Sequence, residues 1–356
     1  MREIGVEELR YLARGAAILG AGGGGDPYIG RLVAEQALRE HGPVLAVEPH
    51  EVPDDALVAG IGMIGAPTVM VEKLPSGTEA VTAFRTLQRE LGRPITHVLP
   101  IEVGGMNSLA PFPVAAALGL PVLDADCMGR AFPMVQMVVC TLDGVPAKPL
   151  AVADEKGNSV VLDVLDNHWA ERLARSAAVR MGCTAVLCSF PMSGAQARGT
   201  VIPRTLTRAA RLGRLVEQAR RDHADPCAAV ADHLGGRVLF TGKVAGVLRE
   251  NDPGFARGEA LLEGSGAHDG SRFRLAFQNE HLVATLDDVV VASVPDLICV
   301  LEADGEPVPG ERLRYGQRVV VVGAPCHPRW RTPEGLALVG PSAFGYPHGY
   351  EPLGPA

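Results

Sequence analysis

The chain of 356 residues is poor in aromatic side chains, at 4%, and carries no surplus of positive charge, its formal net charge being -8. Without a basic excess to neutralise phosphates, nucleic acid and anionic membrane are excluded as partners, and small molecules remain. No apolar run approaches the length needed to cross a bilayer. The acidic start MREIGVEELR lacks the basic and apolar regions of an export signal, so a cytoplasmic protein is expected. The seven cysteines, at 127, 140, 183, 188, 227, 299 and 326, show no paired framework and fit a reducing compartment. What the chain has in quantity is glycine, 42 residues, and proline, 28, which assigns a large share of it to turns and loops.

The densest glycine cluster is GAGGGGDPYIG, residues 20 to 30. Glycine in an ordered segment costs roughly 0.5–1 kcal/mol of backbone entropy against alanine, so a cluster implies positive φ or close approach to the main chain. Asp26 followed by Pro27 is a helix start, an N-cap and then a residue with φ preset at the first helical position. Gly23, Gly24, Gly25 and Asp26 are therefore candidate ligand contacts at a helix N-terminus. Gly20, Gly22 and Gly25 also satisfy G-x-G-x-x-G, but a dinucleotide site needs a strand before the first glycine. Val6 to Leu19 instead has the apolar periodicity of a helix, so no nucleotide cofactor is expected.

Short β-rich runs alternate with helical stretches as far as about residue 225, the pattern of a layered α/β domain. Strand-like runs include Val44 to Val47, Ala56 to Ile64, His97 to Leu99 and Thr184 to Ser189, with helices expected over Thr78 to Leu91, Asn167 to Met181 and Thr205 to His223. Beyond about Gly235 strand-like runs follow one another, from Arg237 to Phe240 onward to Arg318 to Val322, with no convincing helix between them. The reading is an α/β domain over 1–232, a second, smaller, β-rich domain over 233–325, and an extended C-terminal arm over 326–356 that packs back on the body.

Glu102, Gly104, Gly105 and Asn107 follow the strand-like HVLP, at the strand end where ligands bind in open α/β sheets. A turn in which Glu102 caps a neighbouring helix accounts for them equally well. Asp124 and Asp126 stand two apart after another short strand, and in an extended chain both carboxylates face one side. Such a pair shares a proton, chelates a hard cation, or splits into acid and base. Arg130 either clamps a substrate carboxylate or caps this turn. Gln278, Asn279 and Glu280 lie in a row that a hairpin tip explains, with Gln278 and Asn279 as further substrate contacts. Asp296 is a single acid in the apolar VPDLICV, and its burial requires a partner.

Taken together, GAGGGGDPYIG, EVGGMNSL, PVLDADCMGRAFPMVQM, FQNEHLVA and WRTPEGLALVGPSAFGY resemble the S-methyl thiohydantoin desulfurase family, and the matching segments span nearly the whole chain. Cys127 stands where that family's string leads us to expect glycine. The resemblance implies two domains and the hydrolytic removal of sulfur, or of a methylthio group, from C2 of a thiohydantoin-type ring. On that reading Asp124 or Asp126 is the base or a ligand of a divalent metal ion, Glu102 is the acid, the glycine loop and Asn107 hold the polarised ring, and Arg130 grips an acidic substituent. Whether a metal is needed stays open. The alternative is a non-catalytic companion subunit of a hydantoinase or oxoprolinase. Homo-oligomerisation is the general expectation for a soluble enzyme.

Overall fold

A computed structural model describes residues 1–66, 69, 72–252 and 255–353. Strands β1 (Arg2–Ile4), β2 (Val44–Val47), β3 (Leu57–Gly65), β4 (His97–Pro100), β5 (Val122–Leu123), β7 (Leu150–Ala153), β8 (Ser159–Leu162) and β9 (Thr184–Ser193) form one sheet of order β1-β2-β5-β4-β3-β9-β7-β8. Two-residue strands β6 (Ala125–Asp126) and β10 (Ile202–Pro203) pair separately. The central strands β2, β5, β4 and β3 run parallel, and β9 joins β3 antiparallel. Their sequences are short apolar runs rather than alternations, as befits strands covered on both faces.

The helix Val6–Leu19 buries Leu9, Leu12, Ala13 and Ala16 and packs along Thr205–Arg221. In Pro27–His41 the N-cap Asp26 accepts from the Tyr28 N–H at 2.9 Å, as the Asp-Pro pair predicts. Among the described residues no helix is long and apolar enough to cross a membrane.

The second sheet is antiparallel throughout and comprises β11 (Arg237–Asp252), β12 (Phe255–Gly264), β13 (Arg272–Gln278), β14 (Glu280–Leu286), β15 (Val289–Ser293), β16 (Leu297–Leu301) and β17 (Arg318–Ala324), in the order β15-β14-β13-β12-β11-β17-β16. The strand-like run that opens this domain at 237–240 continues as one strand to Asp252, with register slips between Val238 and Phe240 and between Val244 and Gly246. The protein is therefore α/β with a second, β-rich domain.

After β17 the chain returns over the body as an arm that contains the short α-helix Pro333–Val339 between 3-10 turns at Pro328–Arg331 and Pro341–Phe344. Asp296, fully buried, is its anchor. Its carboxylate accepts from the N–H of Cys326 at 2.8 Å and of Leu353 at 2.7 Å, and from the Tyr350 hydroxyl at 2.9 Å, while Arg331 pairs with it at 3.2 Å. Trp330 closes the same seam, edge-on to Phe132 and donating to the Met128 carbonyl at 2.7 Å.

Candidate active site

The glycine segments far apart in sequence meet in space. The Met106 N–H donates to the carbonyls of Gly24 at 2.9 Å and Gly25 at 3.2 Å, which docks residues 104–107 onto the first glycine loop. Gly24 has φ +75°, and a Cβ there would lie 2.4 Å from the Gly104 carbonyl oxygen, so both backbone conformation and space demand glycine. The β-rich domain grips the loop from the other side: the N–H groups of His281 and Gly310 donate to the carbonyls of Ala21 and Gly22, each at 2.8 Å.

This junction borders an open cleft that takes in about 370 Å³ counting the solvent at its mouth, lined by Gly24, Gly25, Glu102, Asn107, Asn279 and Glu280, with Met63, Phe132 and Arg175 among its other walls. Glu102 follows β4 and Asn107 lies in the turn of 3-10 helix Gly105–Leu109. The Asn107 amide donates to Glu102 Oε1 and accepts from the Met63 N–H at 2.5 Å, so the amide fixes the carboxyl against the end of β3. Phe132 N–H donates to the other Glu102 oxygen at 3.3 Å.

Glu280 comes from the opposite domain. Its Oε1 fills the space a Cβ on Gly23 would occupy, 1.9 Å away, and the Gly24 N–H donates to its carboxylate. Its Oε2 is buried and has no hydrogen-bond partner among the described residues. Burial lifts the Glu280 pKa from 4.5 to about 8 against the pull of Arg130 and Arg175. Burial likewise lifts Glu102 well above the carboxylate range, and the charge of Glu280 lifts it further. Burial of both carboxyls, with the charge of Glu280 bearing on Glu102, thus favours the protonated form of the pair.

Next to Glu280, His281 is fully buried and its Nδ1 lies 2.8 Å from the Ile298 carbonyl, while burial pulls its pKa down to about 4. It is neutral at physiological pH and packs against Gly22.

Other residues singled out from sequence lie elsewhere. Asp124 accepts from the Thr207 N–H at 2.9 Å and from the Thr207 hydroxyl, so its carboxylate closes the first turn of Thr205–Arg221. Asp126 accepts from the N–H groups of Val103 at 2.7 Å, Met128 at 3.2 Å and Gly129 at 2.8 Å, and burial lifts its pKa to about 7. The expected co-facing pair does not form, because β6 turns away to pair with β10 and each carboxylate answers a different set of donors. Among the described residues no group of three or more His, Cys, Asp or Glu side chains is arranged to hold a metal ion.

Arg130, 1% exposed, donates to the carbonyls of Ala131 at 2.9 Å, Pro295 at 3.1 Å and Asp296 at 2.6 Å. It bolts the two domains together rather than facing the cleft, and its guanidinium acts on the site only as a nearby positive charge. Asp26 pairs with Arg312 at 3.3 Å on a separate surface groove. Gln278 borders a different cleft with Glu259 and Tyr346, whereas Asn279, at φ +58°, makes the one-residue turn between β13 and β14 at the site. Cys127 is buried with its sulfur 3.5 Å from that of Cys140, away from the cleft lining.

A cleft between an α/β layer and a β domain, bordered by a glycine loop and two buried carboxyls, defines a two-domain protein of mixed α/β architecture. The chain belongs to the S-methyl thiohydantoin desulfurase family: the model of the S-Me-THD-like N-terminal domain matches residues 7–164 and that of the S-Me-THD-like C-terminal domain residues 165–353. These models divide the chain at 164/165, while the strands divide it later, since β9 completes the first sheet at Ser193. Among solved structures, the crystal structure of a protein from Chromobacterium violaceum is similar, with a TM-score of 0.82 at 26% identity over 99% of this chain and 100% of that one. No curated protein is significantly similar to the chain.

Proposed function

We propose that the protein is a hydrolase that removes a methylthio group, or sulfur, from C2 of a thiohydantoin-type ring, with Glu102 and Glu280 as the acid–base pair. The observation that carries this reading is the convergence of these two carboxyls, one from each domain, on a single cleft where burial keeps a proton between them. Main chain at Gly24 and Gly25 gives the cleft a wall without side chains, against which a flat heterocycle can lie.

In the reaction water adds to C2, forming the C–O bond. The ionised carboxyl of the pair takes the water proton, and the protonated one supplies a proton to sulfur as the C–S bond breaks. The products are the hydantoin and methanethiol, with no change of oxidation state. Arg175, on the cleft wall, supplies positive charge toward the electrons that collect on the ring as water adds. Asn107 is a positioning residue that aims Glu102.

The test is to mix the isolated protein with an S-methyl thiohydantoin and follow both the ring's ultraviolet band and released thiol. Loss of the band with stoichiometric thiol supports the hydrolase. Ring binding with no thiol release overturns it in favour of a companion subunit.

A further inference from the structure

We infer that the apolar pocket adjoining the Glu102–Glu280 cleft is a subsite for an apolar substituent, so that the ring the protein takes carries an aliphatic or aryl group at C5. This inference rests on the reading of the cleft as a ring site.

The pocket opens to solvent, takes in about 710 Å³ counting the water at its mouth, and its walls include Ile29, Val33, Ala80, Leu109, Ala110 and Val186. Open, concave and walled mainly by apolar side chains, it has the character of a place where an apolar ligand group is buried. Its charged neighbours are already engaged: Lys73 Nζ lies 2.7 Å from Glu155 and donates to the carbonyls of Met181 at 2.7 Å and Thr184 at 2.9 Å, while Glu79 accepts from the Ser76 N–H at 2.6 Å. A polar occupant therefore finds little to hold it.

Two adjacencies join the pocket to the cleft. Met63 borders both, and consecutive residues of one turn serve one space each, Met106 the pocket and Asn107 the cleft. Because Met63 borders both spaces, the ring site and the pocket meet at this residue. Methionine is unbranched and adapts to substituents of different shape. A ring lying on Gly24 and Gly25 with its reacting carbon toward the carboxyls has its far edge toward Met63, and a C5 substituent continues into the pocket.

The experiment titrates the full chain calorimetrically with hydantoin, 5-methylhydantoin, 5-isobutylhydantoin and 5-benzylhydantoin, and in parallel measures turnover of the corresponding S-methyl thiohydantoins. The isobutyl and benzyl rings are expected to bind about 10- to 100-fold more tightly than hydantoin itself. In Ala110→Phe, and independently in Ala80→Leu, the added side chain occupies the pocket and this ratio collapses to about threefold or less. Circular dichroism identifies a variant that fails to fold, and the other then decides.

Graded binding without turnover upholds the subsite and overturns the hydrolase. Turnover with equal affinity for all four rings overturns the subsite and leaves the hydrolase standing. Absence of both binding and turnover with every ring overturns both.

Discussion

Replacing Glu280 with glutamine keeps the side chain's shape and removes its charge, which makes stability as a function of pH a direct readout of the buried carboxyl. In the unfolded chain the group ionises near 4.5, and in the folded protein only at about 8, because burial penalises the charged form. Between those values the folded state holds a proton that the unfolded state has released, so wild-type stability falls as pH rises, by about 1.4 kcal/mol per pH unit from this group. Over the full interval the loss approaches roughly 5 kcal/mol, and above the folded pKa it levels off. Glu280→Gln cannot ionise and lacks this slope, and Glu102, relieved of its neighbour's charge, titrates lower. Urea unfolding at closely spaced pH values from 5 to 9 is the assay. The variant should become progressively more stable than wild type on going from acid to neutral pH. A difference between the two proteins that does not change with pH would refute the reasoning that Glu280 is held protonated by burial.

Gly24→Ala places a Cβ 2.4 Å from the Gly104 carbonyl at a φ of +75°, so the docking of the two glycine segments must loosen. A loss of roughly 2–4 kcal/mol is expected, with turnover falling alongside, as thermal melts and thiol release will show. Asp124→Ala removes an external cap from Thr205–Arg221, and is expected to cost about 1–2 kcal/mol while turnover per folded molecule stays within about threefold of wild type. A kinetic collapse in the folded variant would restore Asp124 to the chemistry. Asp296→Ala strips the arm of its acceptor, and limited proteolysis should then cut within 326–353, where the wild-type chain resists.

That the glycine loop, Glu102 and Asn107 border one cleft is foreshadowed in the sequence because the signal is local: glycine where nothing larger fits, and polar residues just past a strand end. Asp296 was legible too, since one acid in an apolar run must find donors. Asp124 and Asp126 misled because their spacing implies a shared face only if the strand stays straight, and pairing of β6 with β10 is set by residues 202 and 203, far along the chain.

Glu280 is hidden in the sequence because the run Gln278-Asn279-Glu280 reads as a hairpin tip. All three are at most 7% exposed, the turn being pressed against the first glycine loop. The available hint was length, four polar residues to His281 between Phe277 and Leu282, more than a two-residue turn requires. β12 carries FARGEALLEG, whose alanine, glutamate and leucine favour a helix, and it is a strand because β11 and β13 pair with it on both edges. Partners brought from a distance are what a single sequence conceals.

The most direct measurement is turnover of an S-methyl thiohydantoin in heavy-oxygen water by wild type, Glu102→Gln and Glu280→Gln in parallel. One labelled oxygen at C2 of the hydantoin is expected for each methanethiol released, with rates in both variants lower by about 100-fold or more. Unlabelled product, or labelled product formed by either variant at the wild-type rate, would contradict it.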